Sequence, residues 1–265
     1  MTLDAKSGVG KVYLVGAGPG APDLLTLRAA KLLESAEIVL HDALVHPETL
    51  QLARHARLID VGKRYGKISP DQRFINRALV EAARSHAIVV RLKGGDPMLF
   101  GRAQEEIDAL EAAGIECEVV PGVTAALAAA AALKVSLTRR GVSRNVVFLT
   151  ARHGNGEPET EWIDAAMSAD TAALYMAAGQ APEIAARLID AGRPARTPAV
   201  LVENASLPDE TRWSTTLAQL RDGMQLPFSG PVLMAVGEVF GRVRDDVLRL
   251  PLAGPISIAI RREAG

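Results

Sequence analysis

Four short stretches of the sequence could do chemistry, and each directly follows an apolar, strand-like run. They contain Gly16–Gly20, Asp42, the pair Lys63 and Arg64, and Gly94–Asp96. Glycines let a ligand approach the backbone closely, a carboxylate can accept a proton, and cations bind anionic groups. Because the carboxyl ends of parallel strands meet at one edge of a sheet, we expect these four stretches to converge on one site.

The runs that precede these stretches alternate with amphipathic segments, which predicts a largely parallel α/β sheet in the first half of the chain. Helices are expected over 22–36, from Ser69 onward, and between Pro97 and Gly114. The predicted strands are KVYLV (11–15), EIVL (37–40), RLIDV (57–61), AIVVRL (87–92) and ECEVV (116–120).

The pattern starts again near Pro121, which predicts a second α/β domain. The alanine-rich segment 125–133 is read as a buried helix, and a further helix is expected over 182–192. The predicted strands are 145–150, 171–176, 198–203 and 231–236. We therefore expect an N-terminal α/β domain over 10–121, a C-terminal α/β domain over 122–243 and an accessory tail over 244–265. A binding cleft is expected between the two domains.

The first glycine loop leaves two interpretations open. Residues 16–21 satisfy the G-x-G-x-x-A spacing, and Asp42 follows at the distance expected of a ribose-binding acid in a dinucleotide site. Pro19 removes an N–H group that a pyrophosphate would need, and Pro22 is tolerated only in the first turn of a helix. The loop is therefore also consistent with a simple tight turn, with the next helix beginning near Pro22.

The stretch Gly94-Gly95-Asp96-Pro97 also has a purely structural interpretation. Asp96 has the residue type of a helix N-cap, and Pro97 would then occupy the first helical position. Lys63 and Arg64 would equally suit a solvated turn. The convergence of the four loops, rather than any one motif, favours a functional site.

Composition excludes several classes of protein. The 265 residues carry 30 Lys and Arg against 31 Asp and Glu, which argues against a general nucleic-acid binder. One cysteine rules out an internal disulfide framework and a cysteine metal site, and the five histidines show no ligand-like spacing. The sequence has neither a signal-peptide pattern nor a membrane-spanning run, so we expect a cytoplasmic protein without metal, nucleic-acid or membrane partners.

A family resemblance joins these stretches. VGAGPG (15–20), HDALV (41–45), VGKR (61–64), VVRLKGGDPMLFGR (89–102), EVVPGVTAA (118–126) and SLTRRG (136–141) occur in this order. Together they resemble the uroporphyrinogen-III C-methyltransferase family of the tetrapyrrole methylase superfamily. The similarity covers about 12–243, and the chain resembles the stand-alone form, without a preceding dehydrogenase-chelatase domain.

The resemblance implies a tetrapyrrole methylase fold and a reaction. Members transfer methyl groups from S-adenosylmethionine to two pyrrole carbons of uroporphyrinogen III, giving precorrin-2 by way of precorrin-1, for sirohaem, cobalamin or haem d1 synthesis. S-adenosylhomocysteine is the other product, and the family implies a homodimer. By the same analogy, Asp42 accepts a proton and Lys63 donates one.

The resemblance also implies binding residues. The implied cofactor contacts are Pro19, Gly94, Gly95, Asp96, Leu99, Thr124, Ala125, Met176 and Ala205. The substrate is rich in carboxylates, so we expect it to contact the cations Arg64, Lys93, Arg102, Arg139 and Arg140.

The chain departs from the family pattern where that pattern has glycine beside the cofactor. Ala177 and Ala205 stand at these positions, and we expect their added methyl groups to crowd the cofactor. Three other functions stay open: a methyltransferase for a later precorrin, a nicotinamide-dependent oxidoreductase that uses the first glycine loop, and a non-catalytic tetrapyrrole-binding protein.

Overall fold

The structure, a computed structural model, describes residues 8–62, 72–152, 162–177 and 179–243. These residues fall into two compact units, one ending at Thr124 and the other beginning at Ala125. Lys63, Arg64 and the tail 244–265 lie outside the described residues. No helix within the described ranges is long and apolar enough to cross a bilayer.

The described part of the first unit contains a five-stranded parallel sheet in the order β3-β2-β4-β1-β5. All five predicted strands are confirmed. The three inner strands are nearly continuously apolar because both faces of the sheet are covered there, whereas the two edge strands are more exposed. The strands are β1 (Lys11–Gly16), β2 (Ile38–His41), β3 (Arg57–Asp60), β4 (Ile88–Lys93) and β5 (Cys117–Val120).

The helices of the first unit are α1 (Leu27–Ser35), α2 (Pro47–Leu50), α3 (Gln72–Ser85) and α4 (Ala103–Ala112). The predicted start of the first helix at Pro22 is wrong. Pro22–Leu24 forms a short 3-10 turn, and α1 begins only at Leu27, where Thr26 Oγ1 accepts a hydrogen bond from Ala29 N at 3.1 Å. The N-cap side chain therefore decides where this helix starts.

Two apolar cores lie on opposite faces of the first sheet. Val12 and Val89 belong to the core that includes α3 and α4, whereas the neighbouring Val15 and Val90 belong to the core that includes α1. Side chains alternate between the faces of a strand, so adjacent residues of β4 enter different cores. Arg91 therefore shares the face of Val89, beside α3 and α4.

The described part of the second unit contains a five-stranded mixed sheet in the order β6-β7-β10-β8-β9. Only the β6–β7 pair is parallel; the other neighbours are antiparallel. The four predicted strands are confirmed, and the sequence analysis missed β9. The strands are β6 (Val146–Thr150), β7 (Thr171–Tyr175), β8 (Pro198–Glu203), β9 (Thr211–Thr216) and β10 (Val232–Gly237).

The helices of the second unit are α5 (Ala125–Leu133), α6 (Trp162–Ser168), α7 (Ala181–Asp190) and α8 (Leu217–Arg221). The alanine-rich helix α5 is buried along one side, as expected, through Ala126, Ala129 and Leu133. Small alanine side chains allow this helix to pack closely on the sheet. The helix expected over 182–192 is α7, which has a proline in its first turn.

Candidate active site

Three glycines from separate segments pack against one another at the carboxyl end of β1. A Cβ built on Gly16 would lie 2.6 Å from the Cα of Gly122 and 2.7 Å from the carbonyl oxygen of Gly95. A Cβ on Gly122 would lie 2.2 Å from that same oxygen. Real Cβ atoms do not come so close to backbone atoms, so the loops can meet here only because Gly16 and Gly122 lack a Cβ.

Backbone hydrogen bonds join the two glycine loops. Gly95 N donates to the carbonyl oxygen of Gly18 at 2.7 Å, and Gly18 N donates to that of Gly95 at 3.2 Å. Both residues have positive φ, 72° at Gly18 and 66° at Gly95, which favours glycine. The first glycine loop therefore pairs with the backbone of the second.

Asp96 joins two loops of the first unit. Its Oδ1 accepts a hydrogen bond from Met98 N at 2.8 Å, and its Oδ2 accepts one from Gly122 N at 2.9 Å. The expected role of Asp96 as a helix N-cap is wrong, because α4 begins at Ala103 and residues 97–98 form a turn. The carboxylate instead holds the turn after β4 against the segment after β5.

The backbone of Gly94 and Gly95 borders open space. Within the described part of the chain, a Cβ built on Gly94 meets only Leu44 Cβ, at an ordinary contact distance of 3.5 Å, and one built on Gly95 meets no atom within 4 Å. Gly94 is exposed, whereas Pro19 and Leu99, predicted cofactor contacts of the same unit, are half-buried. This uncovered glycine backbone is a surface that a ligand could approach closely.

Asp42 lies directly after β2, beside the glycine loops. Asp42 N donates to the carbonyl oxygen of Leu92 at 3.2 Å, which joins this turn to the end of β4. Its side chain is 30% exposed, and Oδ1 accepts a hydrogen bond from Arg91 Nη2 at 2.5 Å. The structure therefore brings together three of the four predicted stretches at one sheet edge, and the fourth, with Lys63 and Arg64, is not described.

Lys93 differs from the exposed cation that the sequence analysis expected. The residue is 3% exposed, and its Nζ donates to both carboxylate oxygens of Glu106 at 3.1 Å. Burial lowers the pKa of Lys93, and the positive charge of Arg91 acts in the same direction, while Glu106 opposes the shift. Lys93 is thus engaged in the interior and offers no exposed charge to a substrate.

The other predicted substrate cations differ in their surroundings. Arg102 has positive φ (53°) and forms hydrogen bonds to both carboxylate oxygens of Glu105, at 2.6 and 2.8 Å. Arg139 pairs through its backbone with Ser143, and its side chain is half-buried, whereas Arg140 is exposed. Within the described residues, no group of His, Cys, Asp and Glu could hold a metal ion.

The second unit carries the predicted contacts Ala125, Met176 and Ala205, and Thr124 is the buried last residue of the first unit. Ala125 begins α5, and Met176 follows β7 with positive φ (58°) and 44% of its surface exposed. Ala205 lies between Asn204 and Ser206, which both have positive φ. The sharp turn is thus made by the neighbours of Ala205.

Ala177 and Ala205, whose methyl groups are expected to crowd the cofactor, are both buried. Ala177 is 1% exposed and Ala205 is 6% exposed, and both belong to apolar cores of the second unit. Neither residue has the positive φ that would favour glycine. Their methyl groups therefore contribute to packing.

Comparison with known proteins identifies the family. The family model described as tetrapyrrole (corrin/porphyrin) methylases matches residues 11–221. The chain belongs to the tetrapyrrole methylase family. The match includes β1 to β9 and every described residue of the predicted site.

Relatives within the tetrapyrrole methylases include the uroporphyrinogen-III C-methyltransferase of Pseudomonas aeruginosa, 44% identical over 87% of this chain and 94% of that protein. The uroporphyrin-III C-methyltransferase of Thermus thermophilus, solved with S-adenosylhomocysteine, is 40% identical, with a TM-score of 0.77 over 87% of this chain and 98% of that one. A cobalt precorrin-4 methyltransferase is 30% identical, with a TM-score of 0.76 over 87% of this chain and 95% of that one.

Sequence reasoning missed two charged residues beside the candidate site. Arg91 contacts Asp42 and Glu106, and Glu106 is completely buried. The only signal in the sequence is the charged Arg91 inside the apolar run AIVVRL, because a buried strand keeps a charged side chain away from water. A buried arginine needs an acidic partner, and that requirement could have marked both residues.

Proposed function

We propose that this protein is an S-adenosylmethionine-dependent methyltransferase that methylates uroporphyrinogen III at two pyrrole carbons, giving precorrin-2 by way of precorrin-1. The observation that carries the proposal is the placement of the half-exposed Asp42 carboxylate beside the uncovered Gly94–Gly95 backbone at one sheet edge. This arrangement offers a proton acceptor next to a surface that admits a ligand.

The choice of substrate rests on sequence similarity rather than on the fold. TM-scores of 0.77 and 0.76 do not separate the uroporphyrin-III enzyme of Thermus from the precorrin-4 enzyme. The identities do separate them, at 40% against 30%. Uroporphyrinogen III is therefore the preferred substrate over a later precorrin.

The residues at the sheet edge fit S-adenosylmethionine as the methyl donor. A Cβ at Gly95 would fill space that no described residue occupies, so the glycine backbone leaves room for a ligand. We propose that Pro19, Gly94, Gly95, Asp96 and Leu99 hold it, together with Thr124, Ala125, Met176 and Ala205. When bound, S-adenosylmethionine supplies an electrophilic methyl group on a sulfonium sulfur.

The chemistry left to the protein is proton transfer and orientation. A pyrrole carbon that has gained a methyl group carries positive charge into the macrocycle, which is neutralised when a proton leaves. We propose that Asp42 accepts this proton. We also propose that Lys63 donates a proton to one atom of the macrocycle while a second proton leaves another atom, so that each methyl transfer releases one proton overall. Positioned acids and bases of this kind typically accelerate a step by about 10²–10⁴-fold.

The carboxylates of the substrate require cations. We propose that Arg64, Arg102, Arg139 and Arg140 contact them, because a guanidinium binds a carboxylate through two parallel hydrogen bonds. Lys93 does not belong to this group of cations, since its ammonium group is buried and paired with Glu106.

We also propose the assembly and compartment that the family resemblance implies. The protein is proposed to be a cytoplasmic homodimer whose two units are the N-terminal and C-terminal domains expected from the sequence. Size-exclusion chromatography with light scattering tests the dimer, and a mass equal to one chain of 28.0 kDa would contradict it.

Calorimetry with S-adenosylhomocysteine and with NADP tests the class of reaction. The proposal predicts saturable binding of S-adenosylhomocysteine and no heat of binding with NADP. Its physical reason is Pro19, which removes an N–H group that a dinucleotide pyrophosphate would need. Tight NADP binding without any response to S-adenosylhomocysteine would instead support an oxidoreductase.

A further inference from the structure

The guanidinium group of Arg91 connects the half-exposed Asp42 to a fully buried carboxylate. Arg91 lies on β4, and its side chain is 3% exposed. Its Nη2 donates to Asp42 Oδ1 at 2.5 Å, and its Nε donates to Glu106 Oε1 at 3.0 Å. Its Nη1 donates to the carbonyl oxygen of Leu92 at 3.2 Å. The planar fork of donors is therefore held on three sides and cannot turn away from Asp42 without breaking its other hydrogen bonds.

Glu106 fixes the other end of this arrangement. The residue is 0% exposed, and besides Arg91 it accepts hydrogen bonds from Lys93 Nζ and, at 3.3 Å, from Gln72 Nε2. Two cations and two carboxylates balance in charge, which buried ionised groups require. The orientation of Arg91 is thus set by α3 and α4, the helices that supply Gln72 and Glu106.

The hydrogen bond from Arg91 engages only one of the two carboxylate oxygens of Asp42. Oδ1 accepts the hydrogen bond from Arg91, whereas Oδ2 has no hydrogen bond to any other residue in the described part of the chain. A carboxylate with 30% of its side chain exposed would otherwise rotate among several orientations. Arg91 therefore selects one orientation and leaves Oδ2 as the acceptor.

We propose that Arg91 is a positioning residue for Asp42, with Glu106 as the buried anchor that orients Arg91. The proposal rests on the proposed function, because it requires Asp42 to accept a proton during methyl transfer. The Arg91 side chain is 3% exposed, and it acts through its contact with Asp42 by setting the direction of Oδ2. Its loss therefore acts on the rate only through Asp42.

A double-mutant cycle with Arg91→Lys and Asp42→Asn tests this inference. Lysine keeps the positive charge, but its single nitrogen cannot take the places of Nε, Nη1 and Nη2, from which Arg91 donates to Glu106, Leu92 and Asp42. We expect Arg91→Lys to lower kcat by about 10- to 100-fold, less than the loss of a whole general base, and to leave the KM for S-adenosylmethionine within about threefold. In the Asp42→Asn background, the same change should alter kcat by less than about twofold, since coupled residues are not additive.

Glu106→Gln is the second variant, because it leaves Arg91 in place and keeps an acceptor oxygen. It too should lower kcat in the wild-type background and have little effect beside Asp42→Asn. Arg193→Lys is the matched control: this partly buried guanidinium of the second unit donates to the backbone carbonyls of Ala166 and Ala169, and its replacement should leave kcat unchanged. S-adenosylhomocysteine binding by each variant checks that the site is folded.

The outcomes separate this inference from the proposed function. Wild-type protein that methylates no uroporphyrinogen III would overturn the proposed function, and the inference with it. Wild-type activity with an equal loss from Arg91→Lys in both backgrounds would overturn the inference alone and leave Arg91 a purely structural residue. An Asp42→Asn variant as fast as the wild type would likewise overturn it.

Discussion

Alanine substitutions at Gly94 and Gly122 test two different uses of glycine. Gly94 leaves room for a ligand, whereas Gly122 allows two backbone segments to pack together. Gly94 precedes Gly95 in the chain, and Gly122 packs against the carbonyl oxygen of Gly95. Among the described residues, a new Cβ at Gly94 meets just Leu44 Cβ at 3.5 Å, an ordinary contact distance, whereas at Gly122 it would lie 2.2 Å from that oxygen. We therefore expect Gly94→Ala to fold normally and to weaken cofactor binding, and Gly122→Ala to destabilise the protein.

The magnitudes follow from these distances. At Gly122 the backbone must move by about 1 Å, and overpacking of this kind costs about 1–3 kcal/mol of unfolding free energy. At about 2–4 °C per kcal/mol for a chain of this size, Tm should fall by about 2–12 °C. At Gly94, a methyl group in the space proposed for the cofactor should cost about 1–2 kcal/mol of binding, or about 5- to 30-fold in Kd.

Thermal unfolding and calorimetry with S-adenosylhomocysteine measure both quantities on the same samples. Gly8→Ala is the matched control, because a Cβ there has no atom of a described residue within 4 Å. Unchanged S-adenosylhomocysteine affinity in Gly94→Ala would refute the use of this space by the cofactor. An unchanged Tm in Gly122→Ala would refute the packing argument.

Three further predictions concern buried groups. Burial opposes ionisation of Glu203, but hydrogen bonds from Gly230 N and Ser229 N outweigh it and hold its pKa below the ordinary 4.5. Ionised Glu203 therefore stabilises the fold above that pH. In denaturant titrations, the free energy of unfolding should exceed that of Glu203→Gln by a constant amount near neutral pH and by less below about pH 4. A pH-independent difference would contradict this. Ala205→Gly should lower the free energy of unfolding by about 1 kcal/mol, because it removes a buried methyl group. It should not tighten S-adenosylhomocysteine binding; tighter binding would show that the methyl group of Ala205 crowds the cofactor. Burial raises the pKa of Cys117 to about 11, so Ellman's reagent at pH 8 should react much more slowly with native than with unfolded protein, and equal rates would show an exposed thiolate.

The strands were predictable because their signal is local. Parallel strands covered on both faces need continuous apolar runs, and β1, β2 and β4 have them. Strand β9 was missed because its sequence TRWSTT is polar. It pairs with β8 on one side only and is largely exposed or half-buried, so its residues did not have to be apolar.

The helix starts were less predictable because side chains with several uses decide them. Pro22 and Pro97 both precede helices, yet both lie in separate turns, and α1 and α4 begin five and six residues later. Asp96 has the residue type of an N-cap, but one of its carboxylate oxygens accepts a hydrogen bond from Gly122 N, 26 residues away. A contact across that distance leaves no periodic signal in the sequence.

The site was predictable as a meeting of loops but not as a set of contacts. Parallel topology alone places Asp42 and Gly94 at one edge. The pairing of Arg91 and Lys93 with Glu106 spans 15 and 13 residues and depends on how α4 packs on β4. For this reason Lys93 was expected at the surface and Arg91 was not expected at all.

The most direct test of the proposed function counts the methyl groups that the protein transfers. The purified protein is incubated anaerobically with uroporphyrinogen III and S-adenosylmethionine that carries a deuterated methyl group, and the tetrapyrroles are analysed by mass spectrometry over time. We expect a transient product with one labelled methyl group, followed by a final product with two. No label in any tetrapyrrole, or label accepted only by an already methylated precorrin, would contradict it.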